Sequence, residues 1–188
     1  LLVSKQRNAI LLMEIERLDT IKASFGRKSM NELVRVIAER FTKVLEEDQL
    51  LIHFGKNQFM LYIKYDDQEN VQIICERLRQ CLDQPIQIKH YSLRLKFHVG
   101  VAIYPTDSYH PERLLQCAHF ALDEAKKSTN SNVAFYTIDI KKKNKDRLQL
   151  EHDLEKAVHN NELFFFFLPQ LDLKTSEICS VEALVRWQ

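Results

Sequence analysis

The sequence contains no apolar run approaching the about 20 residues that a bilayer span requires. It carries almost no net charge, since 27 Lys and Arg against 26 Asp and Glu leave a formal +1. That balance supplies no strong field toward nucleic acid or an acidic membrane. None of its four cysteines (Cys75, Cys81, Cys117 and Cys179) forms a C-x-x-C pair, and their spacings match no common zinc pattern. Four reduced, mostly buried thiols in a cytoplasmic protein are the expectation. The seven histidines show no H-x-x-x-H or similar ligand spacing. No Met or signal-like segment opens the chain, so it reads as a piece of a longer protein, with any membrane anchor or sensor lying upstream. What is present is ordinary for a globular protein: 45% hydrophobic and 28% charged residues. The 188 residues suffice for one full domain and part of another.

The apolar run Asn8 to Ile15 predicts a buried strand. Arg17 to Phe25 predicts a short helix or turn closed by Gly26. Ser29 to Glu46 has a helical period through Leu33, Ile37 and Phe41, with Ser29 as its expected N-cap. Leu50 to Phe54 and Phe59 to Lys64 predict a β-hairpin across Gly55 to Gln58. Glu69 to Leu82 predicts a helix, Arg94 to Tyr104 an alternating strand stopped by Pro105, Pro111 to Lys127 a helix with proline in its first turn, and Val133 to Tyr136 a last strand. Helices interleaved with hairpins imply an α+β fold: one mostly antiparallel five-stranded sheet flanked by helices. A boundary is expected near Thr137, followed by a charged connector helix over Ile138 to Asn160. Its Lys141 to Lys145 run reads as a solvated face, because no interleaved aromatics accompany it, so no nucleic-acid partner is expected. Phe164 to Phe167 predict a strand buried on both faces, and Ile178 to Trp187 its partner. A lone hairpin cannot bury both its faces, which leaves a second domain incomplete.

Two stretches carry a resemblance to known families. The spaced set Pro169, Gln170, Asp172, Thr175, Glu182, Ala183, Leu184, Arg186 and Trp187 resembles the opening of EAL domains, the cyclic di-GMP phosphodiesterases. The resemblance implies that Glu182 ligates a divalent metal, Mg²⁺ or Mn²⁺ in an intact EAL domain, and that Arg186 contacts the dinucleotide phosphates. Carboxylate oxygen suits such hard cations, and paired metals activate water for phosphodiester attack. Leu168 departs from the family's common Gln before the proline, removing an amide that would contact substrate.

The second stretch, Asn8 to Tyr136, is similar to GGDEF domains, which condense two GTP into cyclic di-GMP. It includes L-L-M-E-I-E-R-L-D-T-I-K-A-S-F-G and H-V-G-V-A-I-Y-P-T-D, and the hairpin H-F-G-K-N-Q-F stands where the Gly-Gly-Asp-Glu-Phe signature would be. Only Gly55 and Phe59 of those five letters remain. By the resemblance, Glu14 keeps the first metal carboxylate, one methylene longer, while Asn57 replaces the second and Gln58 the neighbouring acid. Lys56 replaces the second glycine, where a Cβ obstructs close approach of backbone to phosphate. Lys22 and Asn31 stand at guanine-reading positions. Lys126 keeps a phosphate-contacting lysine, and Thr129 and Asn130 replace the Gly-Arg that usually follows. The inhibitory Arg-x-x-Asp ahead of the signature reads Glu46-Glu47-Asp48-Gln49.

The resemblance therefore implies a palm-like degenerate GGDEF domain over residues 1–137, a connector helix over 138–161 and the first hairpin of an EAL barrel over 162–188. The expected function is a non-catalytic regulatory module of a bacterial cyclic di-GMP signalling protein, needing no cofactor itself. Its expected partners are the adjoining EAL domain, GTP or cyclic di-GMP held through Glu14, Lys22, Asn31 and Lys126, and a second copy of the domain. Two alternatives stay open: an intact parent that hydrolyses cyclic di-GMP, and a doubly degenerate protein that binds protein or RNA.

Overall fold

The computed structural model describes residues 7–55, 57–129 and 131–188, apart from the side chains at 144 and 148. The chain forms two compact units that part between Lys141 and Lys142.

The first unit is built on β1 (Asn8–Ile15), where nearly every residue is apolar and buried. β1 pairs antiparallel with β3 (Gln58–Lys64) on one side and with β6 (Phe97–Tyr104) on the other. β2 (Leu50–His53) adds antiparallel to β3, and β7 (Val133–Phe135) adds parallel to β6. The five-stranded order is β2-β3-β1-β6-β7. A separate two-stranded ribbon, β4 (Ile86–Ile88) with β5 (Tyr91–Leu93), joins the second helix to β6.

The alternation of strand side chains sorts the helices onto two faces. Ala9, Leu11, Met13 and Ile15 of β1 join Phe59, Leu61 and Ile63 of β3 in one core, with α1 (Leu18–Thr42) and α2 (Gln68–Asp83) packed on it. Ile10 and Leu12 face the other way, toward Leu114, Cys117, Ala118 and Leu122 of α3 (Pro111–Lys127). α3 lies so close to β6 that a Cβ at Gly100 would collide with the Ala118 carbonyl oxygen and the Leu122 amide nitrogen.

One local expectation needs correction. Ser29 does not cap a helix: it lies buried inside α1. The break comes earlier, at Gly26, whose backbone (φ 82, ψ 172) leaves the helical region for one that essentially only glycine adopts. Gly26 thus closes a short first helix as the sequence predicts, and α1 is two helical segments joined across that kink. The thiols are free, with Cys75 and Cys117 buried and Cys179 exposed. Burial pushes the Cys75 thiol up to about 12.

The second unit holds most of α4 (Ile138–His159) and an antiparallel hairpin of β8 (Leu163–Leu171) and β9 (Ile178–Trp187). Here the strand forms as expected, and the hairpin alone leaves its phenylalanines uncovered. Phe165, Phe166 and Phe167 are each more than half exposed, because two strands alone form no layer that could cover them. Among the described residues no helix is long and apolar enough to cross a membrane.

Candidate functional site

Glu14 continues the Ile10–Leu12 face of β1, so its carboxylate emerges on the α3 side of the sheet. Strand register sets Gln58 of β3 opposite it on one side and His98 of β6 on the other. The last turn of α3 brings Lys126 over this row. The result is a compact polar cluster. The Lys126 ammonium donates to Glu14 Oε1 at 2.7 Å, and the Gln58 amide donates to Glu14 Oε2 at 2.8 Å. Lys126 also lies 3.8 Å from Asp123.

The electrostatics follow from those contacts. Partial burial pushes the Glu14 carboxyl up, but the hydrogen bonds from Lys126 and Gln58, with the Lys126 charge and a smaller contribution from His98, outweigh it. The carboxyl sits below the ordinary glutamate range. Both of its oxygens are engaged by protein donors, one of them cationic, an arrangement that does not fit a divalent cation. Among the described residues no group of three His, Cys, Asp or Glu converges as a metal centre would require.

Glu16 and His98 belong to the same neighbourhood, although their sequence context does not single them out. His98 Nε2 and Glu16 Oε1 are 2.7 Å apart, while His98 Nδ1 is buried without a partner. The available signal was alternation: Glu16 follows Glu14 by two residues, and His98 precedes Gly100 and Ala102 on the α3 face of β6.

The turn between β2 and β3 is closed by Phe54 N–H donating to Gln58 O at 2.8 Å, with Gly55 at φ 88. It is tied to β1 by Ile15 N–H donating to the Asn57 carbonyl at 2.9 Å. Asn57 thus meets β1 through its backbone. Phe59 is fully buried in the core below α1. Lys56 and Asn130 lie outside the described residues. Lys22 and Asn31 are exposed along α1 and line one cavity of about 350 Å³ together with Met30, Val34 and His53. Thr129 lines a different cavity, of about 710 Å³. At the stretch Glu46–Gln49, Glu46 accepts from Arg77 of α2 at 3.4 Å, so an exposed ion pair stands there.

Within the second unit, Glu182, Ala183, Leu184 and Arg186 all lie on β9, with Glu182 exposed and in register with Leu168. Arg186 is 5.9 Å from the ring centre of Phe166 and donates to its neighbour's carbonyl. Trp187 Nε1–H donates to Glu162 at 3.0 Å.

Known proteins are similar to this chain along most of its length. The chain is 28% identical over 180 residues to the cyclic di-GMP phosphodiesterase NbdA of Pseudomonas aeruginosa, covering 96% of this chain and 23% of that protein. It is 25% identical over 183 residues to the bifunctional diguanylate cyclase/cyclic di-GMP phosphodiesterase MucR of the same organism, covering 97% and 27%. The chain therefore spans about a quarter of the length of these curated relatives. The crystal structure of the GGDEF domain of YfiN (TpbB) from Pseudomonas aeruginosa superposes with a TM-score of 0.66 at 20% identity, over 71% of this chain and 84% of that one. That likeness establishes the α+β fold of the first unit. The diguanylate cyclase GGDEF domain model matches residues 2–132, the part that contains four of the five strands of the sheet and the Glu14 cluster, and the chain belongs to the GGDEF family.

Proposed function

We propose that this GGDEF domain is a non-catalytic regulatory module of a bacterial cyclic di-GMP signalling protein, which controls an adjoining EAL domain and binds GTP without turning it over. The observation that carries the reading is the pairing of Glu14 with Lys126 and Gln58. Cyclisation of GTP needs a divalent cation to neutralise phosphate charge and polarise the reacting oxygen. Here a tethered ammonium and a neutral amide already satisfy the carboxylate that would anchor the metal. Asn57 adds no second charge, and it meets β1 through its carbonyl oxygen.

Binding makes weaker demands than chemistry. The cavity along α1 offers Lys22 for phosphate or a base carbonyl, Asn31 for amide hydrogen bonds and the apolar Met30 and Val34 for a ring face. Two measurements test the proposal. Incubation with GTP and Mg²⁺ should yield no cyclic di-GMP, and detectable product would end the non-catalytic reading. Calorimetry should show GTP binding with a Kd of about 10 to 100 µM, weakened at least about fivefold by Lys22→Ala. No heat up to about 1 mM GTP would remove the nucleotide part and leave a domain acting through its surfaces.

A second reading concerns the longer protein. NbdA is named a cyclic di-GMP phosphodiesterase, and β9 carries Glu182 and Arg186 two turns of the strand pleat apart on one face. Under this reading Glu182 is one metal ligand, for Mg²⁺ or Mn²⁺, of an EAL site completed elsewhere in that protein. Hydrolysis of cyclic di-GMP by the longer protein, abolished by Glu182→Gln, is its test.

A further inference from the structure

A cavity of about 710 Å³ opens where the end of α2, the segment leading from β5 into β6 and the loop between α3 and β7 converge. That volume lies in the range of small-molecule sites. None of Glu14, Gln58, Lys126, Lys22 or Asn31 lines it, although its Glu16 and His98 wall adjoins the Glu14 cluster.

Its charge is unusual. Arg94 and Lys96 are exposed on either side of buried Leu95, so alternation along the extended segment turns both cations the same way. Among the described residues neither has a carboxylate partner. The wall carries two acids, Glu16 and Asp83, against three permanent cations, Arg79, Arg94 and Lys96, and Asp83 is paired with Arg79 at 3.0 Å. The net charge of the lining is therefore positive. Leu82, Leu95 and Phe97 supply an apolar floor. On the same wall, the buried His98 Nδ1 lacks any partner, an unspent polar group of the kind that marks ligand sites.

We infer that this cavity binds a phosphorylated small molecule of mononucleotide size. Arg94 and Lys96 hold its phosphate, and the Leu82–Leu95 floor receives its ring. Phosphate suits the pair better than a carboxylate does, because a planar guanidinium beside an ammonium matches a multivalent oxyanion. A nucleoside-sized body suits a chamber too large for the anion alone.

The test titrates the 188-residue protein with 5′-AMP, adenosine and inorganic phosphate, followed by amide NMR shifts. The expected result is saturable binding of 5′-AMP, with shifts centred on residues 94–98 and 131–133. Affinity should fall at least about tenfold for adenosine, for phosphate alone and for the Arg94→Gln/Lys96→Gln variant. Both substituted side chains are exposed, and an unchanged amide spectrum of the free variant confirms that its fold is intact. Lys22→Ala should leave 5′-AMP binding unchanged while weakening GTP, so the two cavities fail separately. Three outcomes overturn the inference: no 5′-AMP binding up to about 10 mM, binding that survives the double substitution, or phosphate binding as tight as that of 5′-AMP.

Discussion

Glu14 is subject to two opposing influences. Burial pushes its carboxyl up, while the hydrogen bonds from Lys126 and Gln58 and the Lys126 charge pull it below the ordinary range. A group whose folded pKa lies below its unfolded value stabilises the fold above the unfolded value, about 4.3 for glutamate. That contribution is lost as pH falls through the lowered folded pKa. Replacing Lys126 with Met removes the main compensation and leaves burial in control. The Glu14 carboxyl is then expected to titrate above the ordinary range, and the sign of its effect on stability at neutral pH reverses. The cost should be about 1 kcal/mol, held down by the partial exposure of both partners. Side-chain carboxyl ¹³C titration of both proteins checks this, and identical curves would show that the pair does not set the Glu14 proton affinity. The members of this cluster were legible one by one, since Glu14, Gln58 and Lys126 each stand at a recognisable place in the family pattern. Their mutual contacts were not, because a pattern of letters carries no rotamers. His98 and Glu16 were reachable only by following strand parity across two strands, which requires the register that folding supplies.

The packing of α3 on β6 depends on Gly100. The atoms that a methyl group there would meet are backbone atoms of Ala118 and Leu122, which cannot rotate aside. Gly100→Ala therefore forces the helix off the sheet, at a cost of at least about 2 kcal/mol. Since α3 also carries Lys126, the Glu14 titration should shift upward in the same variant. Urea unfolding reads the first effect, and an unchanged midpoint would mean that α3 has more freedom than its packing implies. Long elements with a clean period were legible as elements: β1 from its continuous apolar run, α3 from its proline start and its repeating alanines and leucines. The β4–β5 ribbon was not, because strands of three residues are too short to show a period of two. The division of α1 at Gly26 was legible, since the glycine leaves the helical region there, but the start of its second segment ahead of Ser29 was not. The phenylalanine run of β8 shows the opposite case. Its composition states a need for burial, and the hairpin alone does not meet that need.

At the scale of the molecule, both apolar cores lie between Ala9 and Tyr136, within the first unit. The second unit instead presents Phe165, Phe166, Phe167, Leu168, Ile178 and Val181 at more than half exposure. Exposed apolar residues on both faces of a hairpin mark an interaction site or an aggregation hazard, and an open two-stranded edge adds to the second. The two properties make a joint prediction. A chain ended after Lys141 keeps every core residue named above, so its thermal transition should stay within about 4 °C of the 188-residue protein's first-unit transition, a difference below about 1 kcal/mol. The same truncation should remove most binding of a hydrophobic dye and the concentration-dependent light scattering expected of the 188-residue protein. Phe165→Ser/Phe167→Ser in the untruncated chain should lower both signals without touching the transition, since neither ring is among the residues of the two cores. If truncation instead collapsed the transition, residues 142–188 would be contributing stability that the contents of the two cores do not reveal. The hairpin would then have to be treated as part of the GGDEF unit's own folding.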